Sequence, residues 1–247
     1  MRILTLVGIG SGNPDLLTRS AIRALNNAEL ILIPRKHGEK SELAEIRRMI
    51  CDEILESPQP SLVEFYLPIR RSDTDYLDTV DAWHDEIANV WSDAVASRPK
   101  NVERVALLIW GDPSLFDSSL RIARRLQPAP EIEVIPGITS IQALCAAHKI
   151  PLNDIGEPFV VTTGRQLRDK GWPEATNTVV VMLDAGGSFN AVLQEELYIW
   201  WGAYLGMPGE LLVSGPLADV ADQIANVRRL ARQQRGWIMD TYILKRA

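Results

Sequence analysis

ILTLVGIGSGNPDLLT, residues 3–18, sets the architecture. Ile3 to Val7 is a short apolar run ended by glycine, the pattern of a buried strand. Gly8, Gly10 and Gly12 follow, then Pro14, and Thr18 is placed to cap a helix carrying Ile22, Leu25 and Ala28 on one face. ELILIP (29–34) is a second buried-strand run. The first 34 residues therefore read strand, glycine-rich loop, helix, strand. Further on, Ser41 opens a helix with Leu43, Ile46, Met49, Ile50 and Ile54 in register. Pro58, Pro60 and Pro68 frame a short strand near Val63 to Tyr66. A long helix carries Tyr76, Val80, Trp83, Ile87, Val90 and Ala94. RVALLIWGDPS (104–114) is a buried strand running into a sharp turn, and a helix is expected from Ser118 to Leu126. IEVIPG (132–137) is again strand into loop, and Thr139 starts an apolar helix through Leu144.

Strands alternating with helices predict an α/β domain with a mostly parallel sheet over residues 1–148. KIPLNDIGEP (149–158), with two prolines and a glycine, marks the expected boundary. Residues 149–247 change rhythm. Strands are expected at FVVTT (159–163), TVVVML (178–183), ELYIWW (196–201) and ELLVSG (210–215). One helix runs from Asp219 to Gln234, with Val220, Ile224, Val227 and Ala231 on its apolar face. Arg228, Arg229, Arg232 and Arg235 in its last turns suit the negative helix end. A final strand spans Ile238 to Leu244, giving a second domain of mixed α/β type.

The composition excludes several classes. With 46% hydrophobic and 23% charged residues over 247 positions, the chain can bury a full core and is not disordered. No apolar run reaches the ~20 residues of a membrane span. A net charge of −6 argues against a nucleic-acid partner. Cys51 and Cys145 form no CxxC pair, and His37, His84 and His148 lack metal-ligand spacing, so no metal site is expected. Both cysteines read as inert core, and a reducing cytoplasm is the expected compartment.

Three loops carry the chemistry. GIGSG (8–12) can be a dinucleotide-binding turn, a plain strand-to-helix turn, or a turn whose missing side chains let a bulky ligand approach the backbone. The dinucleotide reading needs G-x-G-x-x-G and an acidic residue after the second strand; here the third glycine is one residue early and the strand ends Ile33-Pro34. WGDPS (110–114) puts Asp112 beyond a strand end, where it can bind a ligand or simply hold its own turn. PGITS (136–140) delivers Thr139 and Ser140 to a helix start. Parallel strands bring their carboxyl ends together, so the coincidence of the three loops matters more than any one. Arg165 in TTGR, and Lys36 with His37 after the second strand, are further candidates. Trp200 and Trp201 read as core, and His148 reads as packing ahead of catalysis.

In this order the loops resemble those of the tetrapyrrole methylase family, the S-adenosylmethionine-dependent enzymes of corrin and sirohaem synthesis. The matching pieces are GIGSGNPDLLT, a strand ending in Gly-Asp-Pro, and PGITS with Ile150-Pro151-Leu152 downstream. WGDPSLFDSSLR, VIPGITSIQALCAAHKIPLN, TTGR, VVVMLDAG, WGAYLGMPGE and GWIMDTYILKR narrow the resemblance to the family's deacetylating branch, other branches having a second glycine in place of Trp110. The resemblance implies two α/β domains with the cofactor in the cleft between them, and a homodimer. It implies methylation of precorrin-5 at carbon 1 with release of acetate to give precorrin-6A, S-adenosylhomocysteine being the other product. Gly111, Asp112 and Leu115 would hold the cofactor, with Ser11, Thr139, Ser140, Met182 or Leu183, Gly206 and Met207. Asp15 and His148 are the candidates for the deacetylating base, and Arg35, Lys36 and Arg165 for binding the substrate's carboxylates. Two alternatives stand beside this reading: the same chemistry on another tetrapyrrole, and an NAD-dependent oxidoreductase.

Overall fold

Apolar runs with no polar face become strands covered on both sides, and the computed structural model follows that rule. It describes residues 1–35, 42–69, 76–98, 102–174, 176–193 and 196–246, and the side chains of 76–78 are left aside. Lys36, His37 and Ser41 lie outside the described residues. The chain divides into two compact units, Met1–Ile138 and Thr139–Ala247.

In the first unit, β1 (Ile3–Gly8), β2 (Leu30–Arg35), β3 (Ser61–Tyr66), β4 (Arg104–Ile109) and β5 (Glu131–Ile135) form one sheet in the order β3-β2-β4-β1-β5. Every pairing in it is parallel. The helices α1 (Arg19–Asn26), α2 (Glu42–Ile54), α3 (Tyr76–Ala96) and α4 (Ser119–Ala123) supply the crossovers. Alternate strand residues feed two cores. Leu4, Leu6, Leu32 and Leu107 pack with Ile87 and Trp91 of α3 and Ile122 of α4. Val7, Ile31, Ile33 and Leu108 pack with Ala21 and Leu25 of α1 and Ile50 and Cys51 of α2. Thr18 caps α1 through its hydroxyl, which accepts from Ala21 N at 3.0 Å. The helix expected to reach Leu126 stops at Ala123, beyond which Arg125 N and Leu126 N bond three residues back, to the Ile122 and Ala123 carbonyls, in tight turns.

The second unit opens with α5 (Ser140–His148), followed by β6 (Phe159–Thr163), α6 (Gly164–Lys170), β7 (Thr178–Met182), β8 (Leu197–Ala203), β9 (Leu211–Pro216), α7 (Leu217–Arg235) and β10 (Asp240–Arg246). Its sheet has the order β6-β7-β10-β8-β9. Only β6–β7 is parallel; β10 pairs antiparallel with β7 and β8, and β8 with β9. The division falls between Ile138 and Thr139 rather than between His148 and Lys149. The reason is packing: the apolar helix α5 docks on β8 and β10, whereas the Pro/Gly cluster marks only the loop after it. The short helix α6 was not expected, because Gln166, Arg168, Asp169 and Lys170 leave little apolar periodicity.

Candidate functional site

The order β4-β1-β5 makes neighbours of the three strands that carry the expected loops. Their carboxyl ends are stitched together by backbone. Gly10 N donates to the Gly111 carbonyl at 3.1 Å and Gly111 N donates to the Gly10 carbonyl at 2.8 Å. A β-carbon on Gly8 would lie 2.5 Å from Gly137 N, and one on Gly137 would lie 2.2 Å from the Gly111 carbonyl oxygen. No side chain fits between loops this close, which is why glycines recur there.

Asp112 is the polar clamp of this junction. It is 8% exposed. Its Oδ1 accepts from Ser114 N at 2.8 Å and from the Ser114 hydroxyl, and its Oδ2 accepts from Gly137 N at 2.9 Å. Burial opposes ionisation, but the Ser114 hydroxyl and the Gly137 and Ser114 amides outweigh it and hold the carboxyl below its ordinary range. Both carboxylate oxygens are thus committed to tying the Gly-Asp-Pro loop to the Pro-Gly loop.

Two features of the junction leave backbone open and a hydroxyl unused among the described residues. Gly111 has φ +71°, and a β-carbon there would meet nothing within 4 Å; backbone lies bare beside open space. Ser11, 7% exposed, has a hydroxyl oxygen with no hydrogen-bond partner among the described residues. Buried hydroxyls are normally bonded. Gly12 has φ +101°, and its missing side chain admits the Trp110 ring, since a β-carbon there would sit 2.7 Å from that ring. Bare peptide and an unused hydroxyl fit a ligand read by backbone contacts.

The remaining candidates fall into place individually. Leu115 is half-buried, its N–H donating to the Asp112 carbonyl at 3.2 Å. Thr139 caps α5: its hydroxyl accepts from Ile141 N at 3.2 Å and contacts Gln142 Oε1, and Ser140 is the first residue of the helix. Asp15 is exposed in a 3-10 turn, Pro14–Leu16. His148 Nε2 lies 3.0 Å from the Trp201 carbonyl. A carbonyl only accepts, so Nε2 carries the proton and pins α5 to β8. Arg35 donates to Glu64 Oε2 at 2.7 Å, and Glu64 also pairs with Arg48. Arg165 is exposed on α6. Leu183 is 65% exposed with φ +53°, next to half-buried Met182. Gly206 has φ +72°, its N–H donates to Glu210 Oε2 at 2.6 Å, and Met207 beside it is half-buried.

Two features went unread in the sequence. Asp184 is a buried anchor. Its Oδ1 accepts from Gly186 N at 3.0 Å, Gly187 N at 3.1 Å and Ser188 Oγ at 2.9 Å, and its Oδ2 from Ser188 N at 2.6 Å and Tyr242 Oη at 2.7 Å. Burial, then the Asp184 charge, pushes the Tyr242 phenol well above its usual range. Arg47, on α2, is 9% exposed, with its guanidinium 5.8 Å from the Trp110 ring centroid. A dissociable charge inside a helix reads as surface until the partner elements are known. Among the described residues no group of three or more His, Cys, Asp or Glu could hold a metal ion, and no helix is long and apolar enough to cross a membrane. Burial, with Asp52 adding to it, pushes the Cys51 thiol up to about 12, which leaves it unreactive at neutral pH.

The chain belongs to the tetrapyrrole (corrin/porphyrin) methylases, whose family model matches residues 3–221. Within that family it is 46% identical to the precorrin-6A synthase (deacetylating) of Sinorhizobium sp, over 100% of this chain and 96% of that protein. The crystal structure of the cobalamin synthesis related protein CobF from Corynebacterium diphtheriae is 35% identical and superposes with a TM-score of 0.81, covering 99% of this chain and 98% of that one. The uroporphyrin-III C-methyltransferase of Thermus thermophilus, solved with S-adenosylhomocysteine, shares the fold: TM-score 0.62 at 22% identity, with 99% and 97% coverage.

Proposed function

We propose that this chain is the S-adenosylmethionine-dependent C-methyltransferase that converts precorrin-5 to precorrin-6A, with release of acetate. The observation that carries the reading is full-length identity of 46% to a deacetylating precorrin-6A synthase, joined to a glycine junction that leaves backbone bare beside open space at Gly111. The cofactor supplies an electrophilic methyl group on a positive sulfur. The chain's part is alignment: holding donor and ring carbon in line supplies ~7–11 kcal/mol of the barrier without covalent chemistry. Ser11, Gly111 and Leu115 are proposed to contact the cofactor, and Asp112 holds their loop in shape. Thr139, Ser140, Met182 or Leu183, Gly206 and Met207 are the further contacts that the family resemblance implies. Arg165 and Lys36 take substrate carboxylates; Arg35 does so only by leaving Glu64. Acetyl removal needs a group that orients water. Asp15 is the freer of the two candidates, since the His148 ring spends its Nε2 proton on Trp201.

The deciding experiment is incubation with precorrin-5 and methyl-labelled S-adenosylmethionine. One labelled methyl on the ring and one acetate per turnover are expected. Methylation without acetate would point to another tetrapyrrole as substrate. A melting experiment separates the oxidoreductase alternative. S-adenosylhomocysteine at 100 times its dissociation constant adds ~2.7 kcal/mol, a rise of roughly 5–10 °C for a chain this size, and NAD adds nothing. The reverse order would sink the methyltransferase reading. Light scattering tests the homodimer that the resemblance implies.

The Asp112 clamp also makes an acid-stability prediction. Its carboxyl is held below the ordinary value in the folded protein, so it contributes stability above about pH 4 and loses it as pH falls through its folded value. Asp112→Asn is expected to cost about 1–3 kcal/mol at pH 7. It should also flatten the loss of stability below pH 4 and weaken S-adenosylhomocysteine binding at least tenfold by calorimetry. Unchanged affinity would remove Asp112 from the site.

A further inference from the structure

At the carboxyl ends of β2, β3 and β4, beside the Gly-Asp-Pro loop, the first unit holds a half-open cavity of about 360 Å³. Its walls include Phe65, Trp83, Trp91, Trp110 and Phe116; Arg47 lines it too, its guanidinium 5.8 Å from the Trp110 ring centroid, and Asp117, Ser118 and Ser119 make up a polar part of the lining. Trp91, 2% exposed, belongs to the deep end, and Phe116, 45% exposed, to the rim. In a parallel sheet this is the end at which ligands are bound.

Arg47 is incompletely satisfied. Its Nε donates to the Leu108 carbonyl at 3.2 Å and its Nη1 to the Leu43 carbonyl at 3.0 Å. Its Nη2 has no acceptor among the described residues, and no described carboxylate forms an ion pair with it. Asp117 lies near enough to act on it only through space. One Asp117 oxygen is taken by Ser119 N at 2.6 Å, at the start of α4. Burial lowers the Arg47 pKa to about 10, with Asp117 opposing, so the group stays cationic at neutral pH. A buried guanidinium with a free edge matches one chemistry above others, a carboxylate. The aromatic walls match what carries it, a ring or a short apolar stem.

We propose that this cavity is a carboxylate subsite anchored by Arg47, with Trp110 forming the wall it shares with the glycine junction. The ligand is an organic carboxylate, free or attached to a pyrrole. The assignment of Arg47 stands on the cavity alone; the choice of source rests on the function proposed above, which supplies both a free two-carbon acid and a tetrapyrrole bearing carboxylate arms. As a specificity residue Arg47 would select rings by the position of one acidic arm.

Trp83, Trp91 and Trp110 report on occupancy. Tryptophan emission of the full chain is followed during titration with acetate and, separately, with porphobilinogen, a single pyrrole with an acetate and a propionate arm. At least one titration is expected to saturate. Arg47→Met should weaken it tenfold or more and leave S-adenosylhomocysteine affinity within twofold. If Arg47→Met fails to fold by circular dichroism, Arg47→Lys replaces it: the charge is kept, the planar edge is lost, and a threefold to tenfold weakening is expected. Tighter binding of porphobilinogen than of acetate assigns the subsite to a substrate arm; the opposite order assigns it to the released acid. No saturation with either probe, or titrations that an Arg47 variant leaves unchanged, would overturn the proposal. Loss of S-adenosylhomocysteine binding in the wild type, with saturation by a carboxylate intact, would strike only the methyltransferase reading.

Discussion

Gly137→Ala should destabilise the protein by about 3 kcal/mol and abolish cofactor binding. The added methyl would stand 2.2 Å from the Gly111 carbonyl oxygen, 2.9 Å from Gly8 C and 3.0 Å from Gly8 Cα. All three are backbone atoms at the carboxyl ends of neighbouring parallel strands or in the loop beyond them, so no rotamer change relieves the clash. Either the loops after β1, β4 and β5 separate, or the Gly137 N–H bond to Asp112 Oδ2 breaks. The expected fall in melting temperature is roughly 6–12 °C, with at least a hundredfold loss of S-adenosylhomocysteine affinity by calorimetry. Gly186→Ala is the matched control. A β-carbon there meets nothing within 4 Å and the residue has no positive φ, so a change inside about 0.5 kcal/mol is expected. Equal behaviour of the two variants would mean that the loops yield freely and that their close approach has no functional weight.

Asp184→Ala is expected to cost the protein about 3–5 kcal/mol. The carboxylate receives five hydrogen bonds, from Gly186 N, Gly187 N, Ser188 N, Ser188 Oγ and Tyr242 Oη. Removing it leaves the buried Tyr242 hydroxyl and the Ser188 amide without an acceptor. Asp184→Asn keeps the volume and one acceptor and should cost about 2 kcal/mol. Chemical denaturation with both variants checks the order. A second readout follows from Leu183, the exposed residue at φ +53° that precedes Asp184. A left-handed backbone at a leucine costs of order 1–3 kcal/mol unless its surroundings enforce it. Loss of the anchor should therefore relax Leu183 and weaken S-adenosylhomocysteine binding beyond what stability explains. An Asp184→Ala protein as stable as the wild type would contradict the reading of this carboxylate as an anchor.

What the sequence disclosed followed from how local each signal is. β1, β2 and β4 are continuous apolar runs, and their bounds came out within a residue or two because a doubly covered strand has no polar face to blur it. The three loops were legible because glycine and proline act on their own backbone. Asp112 was legible as a turn residue beyond a strand end but not as a clamp: the group that engages it, Gly137 N, lies 25 residues away. Arg35 read as a free cation because Glu64, its partner across β2 and β3, is visible only once those strands pair in register, Ile33 with Glu64 and Arg35 with Tyr66. Arg47 escaped notice for the same reason, its surroundings being assembled from five separate elements. The unit boundary was displaced because proline and glycine report where a chain turns, while α5 takes its place from the apolar surface it covers.

The strand order has a consequence for biosynthesis. β1 precedes both of its hydrogen-bonded neighbours by a long stretch of chain: β4 and β5 come from residues 104–109 and 131–135. β2 and β3 can pair as soon as both exist, but the GIGSG turn has no lattice to sit in until the nascent polypeptide has grown past Gly137. Loop closure over so long a span is slow, and an apolar strand left unpaired in the meantime is a sticky edge. Ribosome-bound chains truncated before residue 104 should recruit holdase chaperones through that edge, and release should coincide with emergence of the second Gly-bearing strand pair.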